Sequence, residues 1–142
     1  MTPRKLERGS PTIVERPDAG VMYLEVKDEP AAIARGWDEL ERRIGSLRGR
    51  RFLGTFDGGK YRASAVLREG DDPARLGLVT GTVLGGSYLR VRLRGEPVAI
   101  YAHIPTAFAE LERAADRDSA RVPIESYRRL DEVDLLIPVT QP

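Results

Sequence analysis

The stretch Arg121–Val139, RVPIESYRRLDEVDLLIPV, places one carboxylate among apolar residues and decides how the rest of the chain is interpreted. If Ile124–Tyr127 is a strand, residues two apart share one face of the sheet, so Glu125 and Tyr127 project together. Val133–Val139 is almost entirely apolar and predicts a buried returning strand. A carboxylate beside a phenol suits the lining of a ligand pocket, whereas an exposed Glu125 paired with an arginine is the simpler interpretation.

Length and composition limit the classes of function. A chain of 142 residues favours one domain, and a net charge of +1 from 23 basic and 22 acidic residues argues against direct nucleic-acid or membrane binding. With no cysteine and a single histidine, His103, we expect no metal, no cofactor, no disulfide and no Ser-His catalysis. No long apolar run marks the N-terminus, so we expect a soluble cytoplasmic protein with residues 1–10 as a flexible tail.

The first half of the chain predicts strands around one helix. Val21–Lys27 alternates apolar and polar residues like a half-buried strand, and Ala31–Arg35 is interpreted as a further small-residue strand. Trp37–Leu47 then changes to helical spacing. Phe52–Phe56 and Tyr61–Leu67 flank a strong turn signal, Asp57-Gly58-Gly59, and predict a hairpin.

The second half repeats this order. Leu78–Leu84 is a predicted strand, and Ser87–Arg94 alternates so that its leucines and valine face one side while Tyr88 and three arginines face the other. A helix is predicted from Pro105 to Ala115, because proline is favoured in a first helical turn. Val98–Ala102 fits either an earlier turn of that helix or an extended approach, and the sequence leaves both open.

The repeated order predicts the fold class. We expect an α+β protein of two tandem β-α-β-β modules, with pseudo-repeats at about 21–67 and 78–139 inside a single domain, 11–142. Two such modules suggest a curved antiparallel sheet with two helices on one face. A cleft between the modules would then suit a small molecule.

Four segments together resemble one known family. They are Gly85-Gly86-Ser87-Tyr88, Ile104-Pro105 leading into Ala107-Phe108 and Leu111, Pro123–Tyr127, and Leu135–Val139. Their order is similar to that of the GyrI-like small-molecule-binding domain, found in gyrase-inhibitory proteins and in effector domains of multidrug-responsive transcription regulators. The resemblance covers about Val21–Val139 and implies two SHS2-type β-α-β-β modules with a ligand cleft. It also implies that Glu125 is the carboxylate of that cleft.

The chain resembles the stand-alone members of this family, because it has no room for a preceding helix-turn-helix region. The resemblance implies capture of a hydrophobic, often aromatic and drug-like molecule by a monomer or weak dimer. Two other functions stay open: hydrolysis of reactive cyclopropane-bearing alkylating compounds in the same cleft, and gyrase-inhibitor-like interaction with a protein partner. Arg90, Arg92 and Arg94 share the predicted face of Tyr88, which argues against a site purely for cations.

Five residues are candidate ligand contacts: Trp37, Phe56, Tyr88, Glu125 and Tyr127. Trp37 starts a helical stripe, for which core packing is favoured over a stacking wall. Phe56 is the repeat counterpart of Tyr127 and also fits a core position. Tyr88 fits a cleft aromatic and an exposed ring stacked on arginine equally well. If the protein is an enzyme, Glu125 would act as base or nucleophile and Tyr88 would polarise the leaving oxygen.

Overall fold

The computed structural model describes residues 6–140, so residues 1–5 of the expected flexible tail lie outside the described part. The chain forms two compact units. The middle unit runs from Pro17 to Gly85, and the terminal unit combines the chain up to Arg16 with the chain from Gly86 onward. The single domain expected for residues 11–142 stays a prediction, and each unit is described by itself below.

Nine strands and three helices make up the described chain. The strands are β1 (Leu6–Arg8), β2 (Thr12–Arg16), β3 (Ala19–Lys27), β4 (Phe52–Asp57), β5 (Lys60–Val66), β6 (Val79–Val83), β7 (Gly86–Gly95), β8 (Ile124–Arg129) and β9 (Glu132–Pro138). The helices are α1 (Pro30–Ile44), α2 (Pro73–Leu76) and α3 (Pro97–Ala114). The predicted α+β class and the two β-α-β-β modules are confirmed, as β3-α1-β4-β5 and β7-α3-β8-β9.

In the middle unit the strand order is β4-β5-β3-β6, with every neighbouring pair antiparallel. The predicted hairpin is present because Gly58 and Gly59, at φ 57° and 81°, adopt the positive φ values that its tight turn requires. Met22, Tyr61, Ala63 and Ala65 alternate onto one sheet face and pack with Leu40 of α1 in a buried core.

In the terminal unit β8-β9-β7 repeats the order β4-β5-β3, again with antiparallel pairs. Both β1 and β2 then pair with the outer edge of β7, so Leu6–Arg8 of the expected tail is part of the sheet. The alternation predicted for Ser87–Arg94 is confirmed, since Val91 and Leu93 join the core beneath α3. Ile104 and Leu111 of α3 cover that face.

The structure corrects the expected start of both long helices. Ala31–Arg35 is helical, because Pro30 begins α1 at a position where a missing N–H costs nothing. Val98–Ala102, left open by the sequence, is also helical: α3 begins at Pro97 and contains Pro105 internally. Both starts follow an extended glutamate, Glu29 or Glu96. The motifs EPAAI and EPVAI therefore mark equivalent points of the two modules.

The loop predicted at Glu69–Arg75 contains the start of the four-residue helix α2. Asp72 caps this helix by accepting a hydrogen bond from the backbone N–H of Arg75 at 3.4 Å. Across residues 6–140, none of the helices combines the length and apolar character needed to cross a bilayer.

Candidate functional site

Glu125 and Tyr127 form a hydrogen-bonded pair on β8. The Tyr127 hydroxyl donates to Glu125 Oε1 at 2.8 Å. The pair forms because side chains two residues apart on a strand project from the same face, as the sequence predicted. Glu125 is only 4% exposed, whereas Tyr127 is half-buried.

The register of the sheet places this pair on the side covered by α3. Glu125 lies opposite Leu135 on β9, and Tyr127 lies opposite Val133. Both partners belong to the aliphatic core of the terminal unit, and Tyr127 packs against that core. The carboxylate therefore has apolar neighbours across the strand pair, and a charge buried beside such residues is costly unless it is paired.

This environment gives the pair two chemical abilities. A carboxylate has about four acceptor sites in total, so it can accept the phenol hydrogen bond and bind a donor or cation as well. A buried carboxylate can also take a proton from a reacting group, and a neighbouring phenol can give one. Ligand binding and proton transfer are both compatible with the geometry.

Tyr88 lies on the opposite face of the same sheet. Tyr88 lies opposite Pro138 on β9, whereas Glu125 lies opposite Leu135. Pro138 and Leu135 are three residues apart on β9 and so face opposite sides of the sheet. The ring is 1% exposed and lies under the Arg121 guanidinium, 4.9 Å from the ring centroid. Burial raises the pKa of Tyr88, and Arg121 partly opposes this shift. The structure thus brings Glu125 together with Tyr127 and separates both from Tyr88.

In the middle unit, Trp37 and Phe56 meet through a third aromatic residue. The Trp37 indole N–H donates to the Tyr61 hydroxyl at 2.9 Å, and the Phe56 and Tyr61 rings are 5.0 Å apart. Phe52 completes this group by contacting Trp37 edge-on at 5.9 Å. Phe52, Phe56 and Tyr61 share one face of the β4–β5 hairpin, which brings them against α1.

Tyr61 and Phe52 were not among the candidates chosen from the sequence. A usable signal was present, because Phe52 and Phe56 are four residues apart on one predicted strand and so share a face. Tyr61 lies directly across the Asp57-Gly58-Gly59 turn from Phe56. Hairpin pairing, applied to the sequence, would have selected all three rings.

Two of the three arginines that share the face of Tyr88 are paired with carboxylates, whereas Arg90 donates to the Thr12 hydroxyl at 3.3 Å. Arg92 holds Asp134 with two hydrogen bonds, of 2.7 and 3.1 Å. Arg94 and Arg128 each donate to Glu132 at 2.9 Å. Arg92, Arg94, Arg128 and Glu132 line an open surface depression of about 680 Å³. Because its carboxylates offset much of the arginine charge, the face is less positive than the sequence suggested.

Histidine, cysteine and carboxylate side chains do not form a metal-binding cluster anywhere in residues 6–140. The candidate site of the terminal unit is the hydrogen-bonded pair of Glu125 and Tyr127. That of the middle unit is the aromatic group of Trp37, Phe52, Phe56 and Tyr61.

The sequence matches no protein-family model and no curated protein. Solved structures nevertheless share the fold. An integron cassette protein from the mobile metagenome of Vibrio cholerae has a TM-score of 0.67 at 16% identity, over 96% of this chain and 100% of that one. SAV2435, solved with tetraphenylphosphonium bound, has a TM-score of 0.61 at 13% identity, over 93% and 94%. A hydrolase from Listeria innocua has a TM-score of 0.53 at 10% identity, over 98% and 94%. At these identities the likeness establishes the fold alone.

Proposed function

We propose that this chain is a GyrI-like protein that binds a hydrophobic, aromatic small molecule through Glu125 and Tyr127. The observation that carries the proposal is the carboxylate–phenol pair, held at 2.8 Å beside apolar cross-strand neighbours. SAV2435 supports it, because a protein of this fold was solved with a cationic aromatic ligand, tetraphenylphosphonium. The resemblance to the GyrI-like family supports the same role.

The physical chemistry of the pair favours a cationic or hydrogen-bond-donating ligand. A buried carboxylate is stabilised by an approaching cation, and the attraction is strong where water is excluded. In this proposal the half-buried ring of Tyr127 supplies apolar contact, while its hydroxyl orients the Glu125 carboxylate. The aromatic group around Trp37 is the second proposed contact set, since ring faces attract organic cations.

Calorimetric titration of wild type and Glu125→Gln tests this role. The titrants are tetraphenylphosphonium and the neutral triphenylphosphine oxide, which carries similar phenyl rings without a net charge. We expect Glu125→Gln to weaken binding of the cation by roughly tenfold or more, and binding of the neutral compound much less.

Glu112→Gln is the matched control, because Glu112 is a well-exposed glutamate that pairs with Arg117 on the surface of the same unit. It should leave both affinities unchanged. If Glu125→Gln weakens the affinity for both ligands equally, or for neither, a charge-recognising role is contradicted. Loss of binding in Trp37→Phe and Phe56→Leu would support the second contact set.

A second candidate function is hydrolysis of a strained, cyclopropane-bearing electrophile. The arrangement that favours it is again the Tyr127–Glu125 hydrogen bond, and one neighbour of the same fold is described as a hydrolase. Glu125 would take a proton from water while the water oxygen bonds to a ring carbon. The breaking ring bond would leave its electron pair on a conjugated carbonyl oxygen, which Tyr127 would protonate. Glu125 would then return its proton to Tyr127, so the net reaction adds one water.

Mass spectrometry after incubation with a cyclopropane-bearing alkylator separates the two functions. A catalytic Glu125 predicts a product one water heavier than the substrate with wild type, and none with Glu125→Gln at similar affinity. Tyr88→Phe should leave turnover unchanged, because Tyr88 lies on the opposite sheet face from Glu125. Tight binding without product would support the binding role alone.

A further inference from the structure

The two β-α-β-β modules each carry an extra edge strand at the equivalent position. In the middle unit β6 pairs with β3, the first strand of its module, and in the terminal unit β2 pairs with β7. Within the described residues, β6 pairs with no strand other than β3. Edge strands expose unpaired backbone groups and so provide templates for another strand.

The two edges differ in how they resist such pairing. β2 reads TIVER, which places Glu15 and Arg16 on the edge, and Pro11 and Pro17 flank the strand. Charges and prolines are common devices against edge pairing. β6 reads VTGTV and has neither, although Val79 at its start is 57% exposed.

The sequence around β6 is also a palindrome. Leu78–Leu84 reads LVTGTVL in both directions, centred on Gly81. An antiparallel pair of identical strands related by a two-fold axis places each residue opposite its mirror position. A palindrome therefore places identical residue types opposite each other along the whole ladder.

We propose that β6 pairs antiparallel with β6 of a second copy of this chain, about a two-fold axis at Gly81. In this register Val79 lies opposite Val83 of the second copy, and Thr80 lies opposite Thr82 of the second copy. Valine and threonine pairs are favourable cross-strand neighbours, and no like charges face each other.

The surroundings of Gly81 fit an axis at this point. A Cβ on Gly81 would lie 3.1 Å from Cε1 of the Tyr23 ring, so a larger residue here would require that ring to shift by a few tenths of an ångström. Arg62 stacks on the other part of that ring, 4.3 Å from its centroid. The ring and the guanidinium cover the glycine on one sheet face and leave the strand edge as its open side.

The size of the contact sets the expected strength. Five paired residues form a ladder only about 17 Å long. The surface that it buries is much smaller than the roughly 1,600 Å² that stable complexes bury. The dimer should therefore exchange with monomer, and the mean mass should rise with protein concentration. Sedimentation of the wild-type chain over a wide concentration range measures this directly, and a constant monomer mass would overturn the proposal.

Charged variants test the register. Thr80→Lys with Thr82→Lys places like charges directly opposite at two points of the proposed ladder, which should weaken association about tenfold. Thr80→Lys with Thr82→Glu places opposite charges at the same two points and should restore association to near the wild-type level. Both variants make the same demands on folding of the monomer, so equal weakening of the two would overturn the register.

The absence of cysteine from the sequence allows a crosslinking test with no background. Chains carrying Thr80→Cys and chains carrying Thr82→Cys are mixed and oxidised, because a cross-strand pair brings the two Cβ atoms to about 5 Å. Random coupling of equal amounts already makes the mixed 80–82 product twice as abundant as either the 80–80 or the 82–82 product. The proposal predicts mixed disulfides well in excess of that random proportion. A random mixture of the three products, or none of them, would show that β6 does not pair in this way.

Discussion

The two modules share one scaffold and differ in the chemistry of one hairpin strand. In both, the first strand of the hairpin presents alternate residues towards the helix, and two of these positions correspond between the modules. In the terminal module these are Glu125 and Tyr127, and in the middle module they are Gly54 and Phe56. The repeat thus keeps its packing while only one copy carries a buried carboxylate. Function in such a pair is expected where the copies differ, because what they share is already accounted for by folding.

The helices follow the same logic. Ile33 and Leu40 of α1 correspond to Ile100 and Ala107 of α3, counted from the proline that begins each helix, and all four pack in their own cores. At the equivalent position between these two pairs, the middle module has Trp37 where the terminal module has Ile104. The middle module therefore has an aromatic group where the terminal module has aliphatic packing and a polar pair.

The largest expected effects test whether the modules fold together. Leu40→Ala in the middle core and Leu135→Ala in the terminal core remove fully buried side chains, and each should lower the free energy of unfolding by about 2–5 kcal/mol. A single domain predicts one calorimetric transition that either variant shifts. Leu130→Ala is the control, because that side chain is 79% exposed. Two transitions, each responding to only one variant, would contradict the single domain and make the modules independent.

Matched tyrosine variants compare the two polar contacts. Tyr127→Phe removes the donor to the Glu125 carboxylate and should cost about 1.5–3 kcal/mol, the range for hydrogen bonds to charged groups. Tyr61→Phe removes the acceptor of the Trp37 indole N–H and should cost about 1 kcal/mol. Urea denaturation measures both values. A larger loss in Tyr61→Phe would reverse the comparison and locate the critical polar contact in the middle unit.

The smallest expected effect is an acid dependence in the middle unit. Hydrogen bonds from Arg50 lower the pKa of Asp71 from 3.8 to about 2. Because the folded pKa is lower, this pair stabilises the fold fully above the ordinary pKa, and the stabilisation is lost as the pH falls through about 2. Wild type should therefore lose more stability between these two pH values than Asp71→Asn. Glu69→Gln removes a neighbouring exposed carboxylate and should leave the change of unfolding free energy with pH as in wild type. Equal pH dependence in all three proteins would show that the Arg50–Asp71 pair does not cause it.

Sequence patterns within a single strand predicted correctly which sheet face each residue occupies. The alternation in Ser87–Arg94 and the spacing of Glu125 and Tyr127 predicted their faces correctly, because the two-residue period is fixed within a strand. The start of α1 was predicted wrongly because Pro30, taken to interrupt a strand, begins a helix. The start of α3 was left open because Pro105, which lies inside that helix, also fits a first turn. Comparing EPAAI with EPVAI would have corrected both starts.

Features that depend on the pairing between strands were beyond local patterns. The opposite faces of Tyr88 and Glu125 follow from the registers of β7 and β8 against β9. The same β7–β9 register decides that Arg92 meets Asp134. Each of these side chains is visible in the sequence, but its partner is set by a register that no single segment encodes.

The position of Trp37 also makes the molecule an asymmetric optical sensor. It is the only tryptophan of the chain and belongs to the middle unit, whereas Tyr88, Tyr101 and Tyr127 belong to the terminal unit. Indole absorbs further to the red than phenol, so selective excitation reports the surroundings of the Trp37–Tyr61 contact alone. Emission excited in this way follows events in the middle module, whereas tyrosine emission comes from both modules, because Tyr23 and Tyr61 also belong to the middle unit. The chain thus carries, without any added label, a spectroscopic signal that is specific to the middle half of its repeat.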